Sequence, residues 1–187
     1  MRGLNSTLNT KLLERLSNCG IDGLRAEEDL GIVVIRTYAP RLLELMEFLK
    51  NDNDCGFNVL IDLTAVDYLD KKAAVDRFEV IYLLWSTTTM QRVRVKVSAP
   101  EGSMVPSVTG IWKGANWPER EVFDLFGIEF GNHPVMERII MPENYRGHPL
   151  RKDFPLEGIG EDYLIESILI DAQGDKPRTG DGGGSRG

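Results

Sequence analysis

The sequence predicts an α+β fold: a mixed, mainly antiparallel β-sheet with helices packed on it, followed by an extended Pro-rich C-terminal segment. Three observations carry that prediction. Segments with helical spacing stand before and after a run of β-branched segments, and those strand-like segments follow one another instead of alternating with helices. From about residue 131 the periodicity fades into a stretch punctuated by Pro134, Pro142, Pro149 and Pro155, too long to be an ordinary connector. The expected organisation is an α/β core over 1–130, an extended segment over 131–173 and a Gly-rich tail over 174–187.

Each element has its own signal. Ser6 is placed to cap a first helix carrying Leu8, Leu12, Leu13 and Leu16, with Gly20 as its stop. Ile32-Val33-Val34-Ile35 within Gly31–Tyr38 reads as a strand. Pro40 then opens a helix with Leu42, Leu45, Met46 and Leu49 on one face and Glu44, Glu47 and Lys50 outward, ended by Asn51-Asp52-Asn53-Asp54. Three strands are expected at Phe57–Asp67, Arg77–Ser86 and Gln91–Ser98. The middle one is apolar on both faces, which predicts a central place in the sheet. In the last, Arg92, Arg94 and Lys96 alternate with Val93, Val95 and Val97, so three cations share a face. Residues 71–96 hold six basic and two acidic side chains, a local +4 within a chain of net charge −7, leaving −11 elsewhere. A solvated face beside an acidic hairpin partner is favoured over a dedicated anion site. The final fourteen residues include six glycines and, apart from Pro177, only polar or charged companions, a composition that predicts disorder.

Scarce residues narrow the function. With 187 residues the chain has room for one core, and its acidic balance disfavours bulk nucleic-acid binding. Its two cysteines, Cys19 and Cys55, stand 36 positions apart and there are two histidines, which excludes an iron–sulfur cluster or a four-cysteine zinc site held by this chain alone. A reducing compartment and two buried thiols are the expectation, with one disulfide as the alternative. No apolar run approaches membrane-spanning length, and the N-terminus lacks a signal-peptide core, so a chain that neither spans a membrane nor is secreted is expected.

The densest chemistry lies between residues 116 and 155. Asn116-Trp117-Pro118-Glu119 has the form of a helix start with an Asn cap and a Glu three residues on as a capping box, and Gly127 marks the end. Helical projection puts Pro118, Val122, Leu125 and Phe126 on one arc and Arg120, Glu121 and Asp124 with Trp117 on the other. Two carboxylates beside an arginine would suit a general acid/base pair; the plainer alternative is an Arg120–Asp124 pair at i,i+4. A charge network fixing a docking surface accommodates both this helix and the later Glu137-Arg138 and Arg151-Lys152-Asp153. His133 and His148 each precede proline, hence extended backbone, and their spacing favours hydrogen bonding over metal ligation. The phosphate-loop motif does not occur, and the glycines around Gly182-Gly183-Gly184 lack the strand–helix setting that dinucleotide-binding and nucleophile-elbow motifs require.

Taken as one string, Trp117-Pro118-Glu119-Arg120-Glu121-Val122-Phe123-Asp124-Leu125-Phe126-Gly127-Ile128, His133-Pro134, Arg138-Ile139 and Gly147-His148-Pro149-Leu150-Arg151-Lys152-Asp153-Phe154-Pro155 closely resembles the 30-kDa subunit family, also known as the C subunit, of respiratory complex I, NADH:quinone oxidoreductase. About 40 residues carry the specific match. The resemblance implies a non-catalytic scaffold of the peripheral arm, without cofactor in this chain, FMN and iron–sulfur clusters being held by partner subunits. It implies a hetero-oligomer with the neighbouring cluster-bearing and quinone-site subunits, attached indirectly to the cytoplasmic face of a bacterial inner membrane, or to the matrix or stromal face of an organelle membrane. The residues expected to dock partners are Trp117, Glu119, Arg120, Glu121, Asp124, His133, Pro134, Arg138, Pro142, His148, Pro149, Arg151, Lys152, Asp153, Phe154 and Pro155. Reversing Arg151 is expected to impair partner association while leaving the chain folded. One position departs from the family pattern: Glu137 stands where a basic residue is usual.

Alternatives stay open at this level. Related subunits serve membrane-bound hydrogenases and ferredoxin- or deazaflavin-linked complexes. Outside the family, a stand-alone acid/base enzyme would use Glu119, Glu121 or Asp124, and a free adaptor would bind peptide or RNA through Arg92, Arg94 and Lys96, with steep salt dependence.

Overall fold

The computed structural model describes residues 2–71 and 76–158; the expected tail at 174–187, and the extended segment beyond 158, lie outside the described residues. Helix α1 spans Arg2–Ser17, β1 Arg25–Asp29, β2 Ile32–Tyr38, α2 Leu42–Asn51, β3 Val59–Asp67, β4 Phe78–Trp85, β5 Arg92–Ala99, β6 Met104–Pro106, α3 Asn116–Phe126 and β7 Glu129–Gly131. The main sheet has the order β1-β2-β5-β4-β3, with β2 parallel to β5 and the other pairs antiparallel. That is the mixed, mainly antiparallel α+β architecture expected from the sequence.

Period-two alternation assembles the core. Val33 and Ile35 of β2, Val93, Val95 and Val97 of β5, and Val80, Tyr82 and Leu84 of β4 share one face through direct cross-strand pairing, and all are buried. Leu42, Leu45, Met46 and Leu49 of α2, Leu12 and Leu16 of α1, and Val122 and Phe126 of α3 join the same cluster. Each large apolar side chain so buried contributes about 1.5–3 kcal/mol relative to exposure. A buried Asn9 pins α1 by donating to the Gly31 carbonyl (3.2 Å) and accepting from Gln91 Nε2 (3.3 Å). Cys19 and Cys55 are free thiols; Cys55 is buried as expected, whereas Cys19 is only partly buried.

Four expectations need correction. Helix α1 begins at Arg2, so Ser6 lies inside it and is not its cap. Strand β1 is additional to the expected strands, as are the short β6 and β7, which pair parallel with each other; β1 has no apolar signal, because Arg25-Ala26-Glu27-Glu28-Asp29 is exposed throughout and pairs through its backbone at the sheet edge. The doubly apolar β4 stands one place from the centre, which β5 occupies; its second apolar row, Ile81, Leu83 and Trp85, is half-buried on the other sheet face. Finally, Asn116 does not cap α3. A 3₁₀ turn over Lys113–Ala115 runs straight into the helix, Asn116 is already helical, and Glu119 turns inward without forming a capping box. The far end is as expected: Gly127 adopts φ +73° and its N–H bonds the Phe123 carbonyl at 2.8 Å.

Candidate functional site

Helix α3 and the segment that follows it are joined through Asp124, whose side chain is fully buried. Its Oδ2 accepts the backbone N–H groups of Ile139 (3.0 Å), Ile140 (2.8 Å) and Met141 (2.9 Å), and its Oδ1 receives Arg138 Nη1 at 2.6 Å. The Asp124 carbonyl accepts from Arg138 Nη1 (3.2 Å) and His148 Nδ1 (2.9 Å), while Arg138 Nη2 reaches the Gly147 carbonyl at 3.2 Å. The Asp124 carboxylate thus organises the backbone from 139 to 141, and the residue's own carbonyl and Arg138 extend the hold to Gly147 and His148. Burial alone would push the Asp124 carboxyl up; the N–H bonds of Met141 and Ile140, the Arg138 guanidinium and the Ile139 N–H outweigh it and hold the group below the usual carboxylate range. Burial, only partly offset by the bond to the Asp124 carbonyl, depresses His148 and keeps it neutral near pH 7.

A second set of bonds fixes residues 151–153. The Arg151 Nε donates to the Phe126 carbonyl at 2.6 Å and its Nη1 pairs with Glu101 at 3.3 Å. Arg77 bridges Asp67 (3.2 Å), Glu101 (2.6 Å) and Asp153 (2.7 Å), and the Lys152 N–H bonds Asp67 Oδ2 at 2.9 Å. Both guanidinium groups lie over the Phe78 ring, at 4.9 and 5.3 Å. Burial opposes the charge on Asp67, but Arg77 and the Lys152 and Leu69 N–H groups more than compensate and keep its carboxyl low. Gly127 is required here for space as well as for conformation: a Cβ would stand 2.6 Å from the His148 ring and 2.7 Å from Arg151 Nη2. Phe154 stacks on Tyr145 at 6.3 Å.

Glu119 is also fully buried, in a contrasting environment. Its Oε1 accepts the Val108 N–H at 2.7 Å, whereas Oε2 has no hydrogen-bond partner. His133 Nε2 lies 3.9 Å away; that ring accepts the Val135 N–H on Nδ1 (3.1 Å), which leaves Nε2–H to donate to the Asn116 carbonyl (3.1 Å). Burial pushes the Glu119 carboxyl up to about 7, against the pull of the Ser107 hydroxyl and the Val108 N–H. Two carboxylates of one short helix are therefore held at opposite ends of their range.

The structure separates the residues expected to act together. The Arg120–Asp124 pair does not form: Arg120 reaches across to the carbonyls of Glu137 (2.9 Å) and Arg138 (3.3 Å) and covers the Trp117 ring at 5.1 Å, and Asp124 turns inward to Arg138. Glu137 lies 3.8 Å from Arg120 and is mostly exposed, so the acidic residue at this position has an internal counter-charge. Glu119 and Asp124 are buried while Glu121 is exposed, which leaves no paired carboxylates at a common surface. His133 and His148 are committed to different carbonyls, and among the described residues no group of three or more His, Cys, Asp or Glu is placed to hold a metal ion.

Of the expected docking residues, Asp124, Arg138, His148, Arg151 and Asp153 tie the segment to its own core, while Trp117, Glu121, Pro134, Pro142, Lys152 and Pro155 are exposed. Pro149 and Phe154 line an open groove of about 560 Å³ with Asp70 and Leu156. Asp67, Arg77 and Glu101 join the site without belonging to the expected set. Asp67 carries a usable signal, an acid at the inward register of Leu63 and Ala65 on β3.

Comparison with known proteins places this arrangement. The family profile described as respiratory-chain NADH dehydrogenase, 30 kDa subunit, matches residues 35–159, covering α3 and the whole described segment. The chain belongs to this 30 kDa subunit family. Relatives named as the C subunit of NADH-quinone oxidoreductase include those of Roseiflexus sp., 45% identical over 79% of this chain and 84% of the relative, and Geobacter metallireducens, 42% identical over 81% and 90%. The Azorhizobium caulinodans relative is 48% identical over 70% of this chain, and the match spans 61% of that relative's length. In this member of the 30 kDa family, no helix among the described residues is long and apolar enough to cross a membrane.

Proposed function

We propose that this chain is a non-catalytic scaffold subunit in the peripheral arm of a proton-translocating NADH:quinone oxidoreductase. Electrons pass from NADH through FMN and iron–sulfur clusters held by partner subunits to quinone, and this chain shapes and joins the neighbouring cluster-bearing and quinone-site subunits. It sits at the cytoplasmic face of a bacterial inner membrane through those partners. Its family membership supports the machine. The observation that carries the scaffold role is Asp124: a buried carboxylate spends its bonding capacity on the backbone of Ile139, Ile140 and Met141, leaving Ile140 and Leu150 exposed on the shaped segment. A large apolar side chain held outward on a fixed backbone is what an interface anchor requires.

A tagged full-length chain, recovered from detergent-solubilised membranes, tests the assignment by the chains that accompany it. The expected result is stoichiometric recovery of flavin-bearing and cluster-bearing subunits, with no turnover by the chain alone. Recovery of hydrogenase-type chains without an NADH-binding partner would contradict the machine; turnover by the isolated chain would contradict the scaffold role.

A further inference from the structure

The helices join the core on the face of the main sheet that carries Val93, Val95 and Val97; on the opposite face Tyr68 donates to Glu79 at 3.1 Å and Val34 is buried among its neighbours. Cross-strand register orders that face into rows. Arg92 lies beside Trp85, Arg94 beside Leu83 and Lys96 beside Ile81, along the seam between β5 and β4. Lys96 is satisfied by Glu79 at 2.8 Å, and Glu79 also takes Arg36 at 3.1 Å. Arg92 and Arg94 form no ion pair with any described residue, and Arg94 is half-buried between Leu83 and Val34. The same rows end in carboxylates at the outer strands, Glu27 and Asp29 on β1 and Asp62 on β3. In the rows of Arg92 and Arg94 the cations thus stand on the seam and the acids at the margins, while the row of Lys96 carries Arg36 and Arg25 and is neutralised in part by Glu79 on β4.

We infer that the β4–β5 seam docks an acidic, amphipathic segment of a partner chain, whose carboxylates meet Arg92 and Arg94 while its alternate apolar side chains cover Leu83 and Trp85. The assignment rests on the chain working inside a multi-subunit assembly, and it concerns a surface away from Asp124 and the residue 131–158 segment. Two forked guanidinium groups with no internal partner favour carboxylates, which they bind bidentately. The half-buried Leu83 and Trp85 beside them favour an occupant that also brings apolar surface. The marginal acids disfavour a nucleic acid, whose continuous phosphate charge would meet Glu27, Asp29 and Asp62 along with the arginines.

The test places a photo-crosslinking phenylalanine analogue at Leu83 in the full-length chain, irradiates solubilised membranes and maps the joined peptide. A link to another chain, in a segment where acids alternate with apolar residues, is expected, and Arg92→Glu combined with Arg94→Glu should lower its yield at least tenfold. Because Arg94 is half-buried, Arg92→Gln combined with Arg94→Gln, which removes the charge without reversing it, serves as the second variant and should lower the yield in the same direction while the chain stays folded. Joining to a basic segment, to nucleic acid, to the chain's own acidic residues 159–171, or to nothing while the partner subunits still copurify, would overturn the inference and leave the proposed function standing. Absence of every partner subunit from the preparation would overturn both.

Discussion

Glu119 and Asp124 show how far environment, more than residue type, sets a carboxyl group. Asp124 is saturated with donors and stays ionised; Glu119 has one backbone donor and an unpartnered oxygen. The consequences for stability have opposite signs. Because the folded protein holds the Glu119 proton up to about pH 7 while the unfolded chain releases it near the ordinary Glu value, the folded state binds more protons between those limits. Stability from this group then falls as pH rises from about 4.5 to 7. The full effect is on the order of 3 kcal/mol. Glu119→Gln keeps an oxygen for the Val108 N–H and removes the ionisation, so it should raise the melting temperature at pH 8 and change it little at pH 4.5, a comparison differential scanning calorimetry can make. An equal shift at both pH values would refute the protonation argument. Asp124, with its depressed carboxyl, stabilises the fold above the ordinary Asp range and loses that contribution as acid protonates it.

At the scale of elements, α3 and the segment after it form one unit. Asp124→Ala leaves three backbone N–H groups and Arg138 without their partner, a loss of roughly 3–5 kcal/mol by analogy with broken buried pairs. Hydrogen exchange should localise it: the Ile139, Ile140 and Met141 amides should lose protection by orders of magnitude while β4 and β5 change little. Retained protection at those amides would mean that Asp124 does not hold the segment. Arg151 carries a revised expectation. Its bonds to the Phe126 carbonyl and Glu101, and its place over Phe78, mean that Arg151→Glu should unseat residues 148–154 from their own core, visible as new protease cleavage there. A variant as protease-resistant as the parent would restore the view that Arg151 serves a partner alone. Strands β2 to β5 and α2 were legible because each obeys one period, whereas the three-residue β6 and β7 are too short to show one. Strand β1 was not legible, since a charged edge strand is specified by its neighbour's backbone. The inward turn of Glu119 and Asp124 was hidden for a related reason: helical projection sorts residues by angle, and nothing in α3 itself announces that a later segment will cover its polar side.

For the whole molecule, the motif between residues 116 and 155 identified the family and the residue types at stake, but it did not divide them into those that shape the segment and those that remain outward. That division is long-range, set by pairs such as Asp67 with the Lys152 N–H and Arg77 with Asp153. It makes the central claim separable from simple stability: inward residues fold the segment, outward residues join it to other subunits. Ile140 and Leu150 are each about half exposed, so making both Glu should cost the isolated chain little. The most direct measurement is the amount of Ile140→Glu/Leu150→Glu chain incorporated into the solubilised complex, against parent chain of equal melting temperature. Incorporation reduced at least tenfold is predicted; incorporation at the parental level by a folded variant would contradict the account.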